Sequence, residues 1–102
     1  MKKVRRRYVR FKLHQDGPQI DEKHLSLAIW KSLLSLFGEI QAADSKLYLI
    51  EYDKSSWEGI LQCTLPSLHQ VMAAAAVIGT INETRVSFEP KRTSGTIKGV
   101  RR

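Results

Sequence analysis

Twelve of the 17 lysines and arginines in this 102-residue chain sit at its two ends, a placement suited to phosphate contacts. Lys2, Lys3, Arg5, Arg6, Arg7, Arg10 and Lys12 open the sequence with no acid among them, and Lys91, Arg92, Lys98, Arg101 and Arg102 close it. All ten acids fall between Asp16 and Glu89, with only five cations beside them, so a formal net charge of +7 divides into +12 at the termini and −5 in the body. Charge placed for solubility alone would be spread more evenly. Segregation of this kind points to a polyanion: nucleic acid first, then an acidic protein partner or an anionic membrane surface. Other groups among these cations suit the same partner. Tyr8 offers a ring for base stacking, and Ser94, Gly95 and Thr96 offer hydroxyls and close backbone approach to phosphate.

Other chemistries find little support. His14, His24 and His69 lack ligand spacing and Cys63 is the sole cysteine, so neither a metal site nor a disulfide framework is expected. Cys63 reads as a small buried hydrophobe, compatible with a reducing compartment. Asp44, Glu51 and Asp53 read as surface acids. No glycine-rich loop precedes the first helix, and Pro18 removes a donor that a phosphate cradle would use. No catalytic residue and no bound cofactor are therefore expected. The basic start lacks an apolar segment of the kind a signal peptide carries, and no run approaches membrane-spanning length, so a soluble, cytoplasmic protein with no membrane partner is expected.

The elements that must position these residues follow from periodicity. From Tyr8 to Leu13 the chain alternates as a strand, with Val9, Phe11 and Leu13 on one face and Tyr8, Arg10 and Lys12 on the other. Gln15-Asp16-Gly17-Pro18 is a turn, and Asp21 is placed to cap a helix over Glu22–Phe37 that Gly38 ends. Leu25, Ile29, Leu33, Leu36 and Phe37 form its core stripe. Leu27, Trp30 and Leu34 widen the apolar arc to about half the circumference, at roughly 100° per residue, and are candidates for a protein contact. Strands over Lys46–Asp53 and about Trp57–Leu65 flank a short hairpin loop, with Gly59 marking a bulge or close approach. A second helix starts near Pro66 and ends near Gly79. A last strand spans Thr84–Glu89, where Pro90 is expected to stop the ladder and release residues 91–102 as a basic tail.

The order β-α-β-β-α-β predicts one α+β domain over residues 1–90: a ferredoxin-like, RNA-recognition-motif-like sandwich of four antiparallel strands with both helices on one face. The first strand would be central and the other sheet face free. Base stacking of the usual RNA-recognition-motif kind is not expected, because the third strand has no aromatic residue between Gly59 and Leu65.

Arg6-Arg7-Tyr8-Val9-Arg10-Phe11-Lys12, Leu36-Phe37-Gly38-Glu39 and Ser94-Gly95-Thr96-Ile97-Lys98 together resemble the archaeal ribonuclease P protein component 2 family, which has a related subunit in eukaryotic ribonucleases P and MRP. The likeness covers nearly the whole chain, but Gln62 stands before Cys63 where that family often has Arg. It implies a protein cofactor of the catalytic RNA that removes 5′ leaders from precursor tRNA. It also implies association with the TIM-barrel-like component 3 subunit, while Mg²⁺ serves the RNA. Lys2, Lys3, Arg5, Arg6, Arg7, Tyr8, Arg10, Lys12, Lys91, Arg92, Ser94, Gly95, Thr96 and Lys98 are the expected RNA contacts, and Leu27, Trp30 and Leu34 the expected partner contacts. The runner-up is a free-standing RNA- or DNA-binding module of the same fold; an acylphosphatase-like hydrolase comes third.

Overall fold

The alternation at the start of the chain becomes a long strand. In the computed structural model, which describes residues 4–102, β1 runs Arg6–Asp16, and Val9, Phe11 and Leu13 are buried along one face. Gly17, at φ 140°, turns the chain toward α1 (Glu22–Asp44). Asp21 caps that helix: its carboxylate accepts from the His24 backbone N–H at 2.8 Å, while Ile20 just before it is buried. Leu25, Ile29 and Leu33 face inward as expected, but two expectations for α1 fail. At Gly38 the backbone turns left-handed (φ 86°), as a helix end requires, yet the chain resumes helical geometry as far as Asp44. Leu36 and Phe37, expected in the core, are exposed; burial lapses after Leu33 and resumes only at Ala42, beyond the kink.

Strands β2 (Tyr48–Asp53) and β3 (Glu58–Thr64) form a hairpin, and a single 3-10 turn, Leu65–Ser67, leads into α2 (Leu68–Ala76). The sheet has five strands, not four. Thr80–Ile81 forms a two-residue strand, β4, against β5 (Thr84–Ser94), with Asn82 left-handed (φ 56°) in the turn between them. A strand this short shows no alternation to read. Pro90 does not stop the ladder either. It pairs with Phe11, a register shift at Arg10/Phe11 absorbs the irregularity, and β5 continues to Ser94. Because β4 reaches only Thr84 and Arg85, β5 is the sheet edge at Pro90, where a missing N–H is tolerated.

The result is an α+β protein with antiparallel strand order β2-β3-β1-β5-β4, so β1 is central. One face carries the core. Val9, Phe11, Leu13, Leu49, Leu61, Cys63 and Val86 pack with Leu25, Ile29 and Leu33 of α1 and Val71 and Ala74 of α2. Gly59 is the close approach the sequence suggested: a Cβ there would stand 2.7 Å from both the Glu51 carbonyl oxygen and the Phe11 ring.

The opposite face is not free along its whole length. After Ser94 the chain turns into a short helix, α3 (Ile97–Val100), that contacts β5 and β1. Val100 and Ile60 are buried, yet both lie outside the main core cluster, and Arg101 pairs with Glu51 on β2. The end expected to be a tail is thus strand followed by a helix lying across the second face.

Candidate nucleic-acid interface

One end of the sheet gathers residues from three distant parts of the sequence, two of which bring cations. The Leu65 N–H donates to the Arg5 carbonyl at 2.8 Å, which continues the β1–β3 pairing and fixes the backbone of Arg5 beside Arg6 and Arg7. Lys46 is brought there by the end of α1. Ser45 is fully buried; its Oγ donates to the Ala42 carbonyl at 2.6 Å, and its own carbonyl accepts from the Thr64 N–H at 2.9 Å. With Ser45 tied to β3, Lys46 follows in left-handed geometry (φ 51°) and joins Val4, Arg5, Arg6, Arg7, Tyr8 and Gly95 around one open groove of about 1030 Å³. Among the described residues, four cations and no acid line it. Gly95 lies against Arg7: a Cβ there would sit 3.2 Å from a guanidinium nitrogen at the far end of that flexible side chain, which also donates to the Arg6 carbonyl at 2.9 Å.

The other expected phosphate contacts divide. Lys2 and Lys3 lie outside the described residues. Arg10 shares a hollow with Arg101 and three acids, Glu51, Asp53 and Glu58, and its Nε is buried without a hydrogen-bond partner. Lys12 stands in the ladder between Glu58 and Glu89. Lys91 pairs with Glu89 at 3.2 Å, and His14 reaches the same carboxylate at 2.6 Å. Hydrogen bonds from His14 and Lys91 hold the Glu89 carboxyl below the usual carboxylate range. Arg92 donates to the Arg102 carbonyl at 3.2 Å. Ser94 and Thr96 build α3, since the Ser94 Oγ accepts from the Thr96 N–H at 3.3 Å and the Thr96 Oγ1 caps the helix by accepting from the Gly99 N–H at 2.9 Å. Lys98 is exposed on α3. The structure therefore brings Arg5, Arg6, Arg7, Tyr8 and Gly95 together, adds Lys46, and places Arg10, Lys12 and Lys91 among acids. Sequence reasoning missed Lys46 because tertiary ties, the Ser45–Thr64 hydrogen bond among them, carry it to the N-terminal cations.

On α1, Leu27 is exposed, whereas Trp30 and Leu34 are partly buried against the core. The larger exposed apolar group surrounds the Gly38 kink: Leu36, Phe37 and Ile40, the last 80% exposed. Burial raises the Cys63 thiol to about 11. Among the described residues, no group of three or more His, Cys, Asp or Glu is arranged to hold a metal ion, and no helix is long and apolar enough to cross a membrane.

The chain has relatives. The chain is 38% identical over 98 residues to ribonuclease P protein component 2 of Archaeoglobus fulgidus, covering 96% of this chain and 86% of that one. It is 30% identical to the protein of the same name from Aeropyrum pernix (99% and 83% covered) and 29% identical to that from Pyrococcus furiosus (96% and 81%). The fold is shared with a chain in a cryo-EM structure of yeast ribonuclease MRP, at a TM-score of 0.73 and 8% identity, covering 94% of this chain and 78% of that one. Residues 7–102 match the model of the Rpp14/Pop5 family, and the chain belongs to that family.

Proposed function

We propose that this protein is a subunit of ribonuclease P that binds and supports the catalytic RNA which removes 5′ leaders from precursor tRNA. The observation that carries the reading is the family match over residues 7–102, with curated relatives named as ribonuclease P protein components. The acid-free groove formed by Arg5, Arg6, Arg7 and Lys46 supports it, because cations fixed on a sheet end neutralise RNA phosphates without themselves doing chemistry. In this reading the bond-breaking step and its Mg²⁺ belong to the RNA. The finer architecture goes with the reading too: β2-β3-β1-β5 follows the strand order of a ferredoxin-like sheet, with β4 added at its edge. The protein partner is the component 3 subunit. Its docking surface is the outer side of α1, where Leu27 and the Leu36, Phe37 and Ile40 group expose apolar area.

The test is reconstitution of precursor tRNA cleavage from RNA, component 3 and this chain. Adding the chain should raise cleavage at lowered Mg²⁺, and the chain alone should cleave nothing. Cleavage that is indifferent to the chain at every Mg²⁺ concentration would reject the subunit role.

A further inference from the structure

The second face of the sheet is closed at one end by α3 and open at the other. Across the open end the ladder places four side chains in one row: Tyr48 on β2 pairs with Gln62 on β3, Gln62 with Tyr8 on β1, and Tyr8 with Ser94 on β5. The next row, Leu49, Leu61 and Val9, is buried in the helix-side core, so the alternation of the strands turns both tyrosines and Gln62 to the other side. Tyr48 is 62% exposed, an unusual position for an aromatic ring on a half-buried sheet. Two strand spacings put the two tyrosine positions about 10 Å apart, with the Gln62 amide between them.

Charge decides what lies on this row. Arg6 stands one row further out on the same face, paired with Thr64, and Arg5, Arg7 and Lys46 line the groove that Tyr8 also lines. Of the acids of this face, Asp53, Glu58 and Glu89 are at the other end, beyond Ile60, while Glu51 stands level with Ile60 in the ladder and is paired with Arg101. Aromatic rings beside a cationic rim suit a ligand with flat bases and phosphates.

We infer that the Tyr48–Gln62–Tyr8 row is a platform for two unpaired nucleotides of RNA. Their bases stack on the two tyrosines, the Gln62 amide meets a base edge, and their phosphates lie toward Arg6 and Lys46. A duplex presents its bases already stacked and has no use for the rings; it would meet the cations alone. The aromatic pair differs from the usual arrangement on the first and third strands, because the second ring comes from the edge strand β2. The inference rests on the RNA-binding reading above and adds the ligand's strandedness and the residues that sense it.

The experiment uses the full chain and two probes of equal length, a single-stranded RNA carrying 2-aminopurine and the corresponding duplex. Wild-type chain should quench the 2-aminopurine on binding. Tyr48→Ala should lower single-strand affinity by about 5- to 150-fold, the range for loss of one base–aromatic stack, while duplex affinity stays within twofold. Tyr48→Phe, which keeps the ring, should restore both affinity and quenching. Tyr48 lies exposed on an edge strand, so circular dichroism of Tyr48→Ala should match the wild type. Unchanged single-strand affinity in Tyr48→Ala, or an equal loss on both probes, would overturn the platform while leaving the cationic groove standing. Failure of the wild-type chain to bind either probe, at any salt concentration, would overturn the RNA-binding reading itself.

Discussion

Single residues here are constrained by what a Cβ or a proton would cost. At Gly59 both obstacles to a side chain, the Glu51 carbonyl and the Phe11 ring, are held by the sheet and the core, so neither can withdraw cheaply. Gly59→Ala should therefore cost roughly 1–3 kcal/mol in denaturant unfolding, the penalty of overpacking. Gly79, with open space around it, should accept Ala with little change. Cys63 makes a second prediction. The folded chain keeps its thiol protonated up to about 11, whereas the unfolded chain loses that proton at the lower, ordinary thiol value. In that window the unfolded state binds fewer protons, so the Cys63 contribution to stability falls as pH rises. Alkylation of Cys63 at neutral pH should track global unfolding and accelerate with urea; fast modification of the native protein would show that the site is open. The burial of Cys63 and the close approach at Gly59 were legible in the sequence. An unpaired cysteine in an apolar strand packs as a small hydrophobe, and a glycine interrupting such a strand leaves room for a neighbour to move in. The clash partners were not legible, because they come from β1 and β2.

Among the elements, those with a strong period were legible and those set by tertiary contact were not. The alternation of Tyr8–Leu13 and the helical spacing of Leu25, Ile29 and Leu33 predicted β1 and the inward face of α1, and Asp21 predicted its cap. The sequence misled at Pro90, which breaks a central strand but is tolerated where β5 has no outer neighbour. It also misled in residues 94–102, where the chain returns onto the sheet as a short helix against β5 and β1, a tertiary contact that leaves no local pattern. Ser94-Gly95-Thr96-Ile97-Lys98 looked like a free phosphate-binding segment. Its hydroxyls also hold a four-residue helix that could not persist alone and owes its order to docking. That dependence is testable. Val100→Ala should destabilise the chain by about 1.5–3 kcal/mol, since a fully buried valine side chain is truncated. Gly99→Val should undock α3 more completely, because its Cβ would collide with the Ser94 Oγ and stand 2.9 Å from the Thr96 Oγ1. Amide exchange should then rise across residues 96–102 while β1 and α1 stay protected. Unchanged protection in α3 would mean that its order does not come from the Ser94–Thr96–Gly99 contacts.

At the scale of the molecule the sequence showed that charge is segregated, but folding redraws the division. By sequence, Arg6 and Lys12 belong to one basic run, while Lys46 belongs to the acidic body. In the structure Arg6 and Lys46 share the acid-free groove, whereas Lys12 lies between Glu58 and Glu89, and Lys91 pairs with Glu89. A cation already beside carboxylates releases fewer condensed counterions when RNA arrives, so equal changes in net charge should have unequal effects on binding. Two double variants isolate this, each removing two positive charges. Replacing Arg6 and Lys46 with Ala should reduce the magnitude of the slope of log K against log salt by roughly 1.4–1.8, the value for two lost phosphate contacts. Replacing Lys12 and Lys91 with Ala should shift that slope by less than half as much, because those side chains leave carboxylates behind and not bare phosphates. The comparison needs only the full chain, one RNA and a salt titration. If the two pairs changed the slope equally, binding would follow net charge alone, and the sheet end would lose its claim to be the interface.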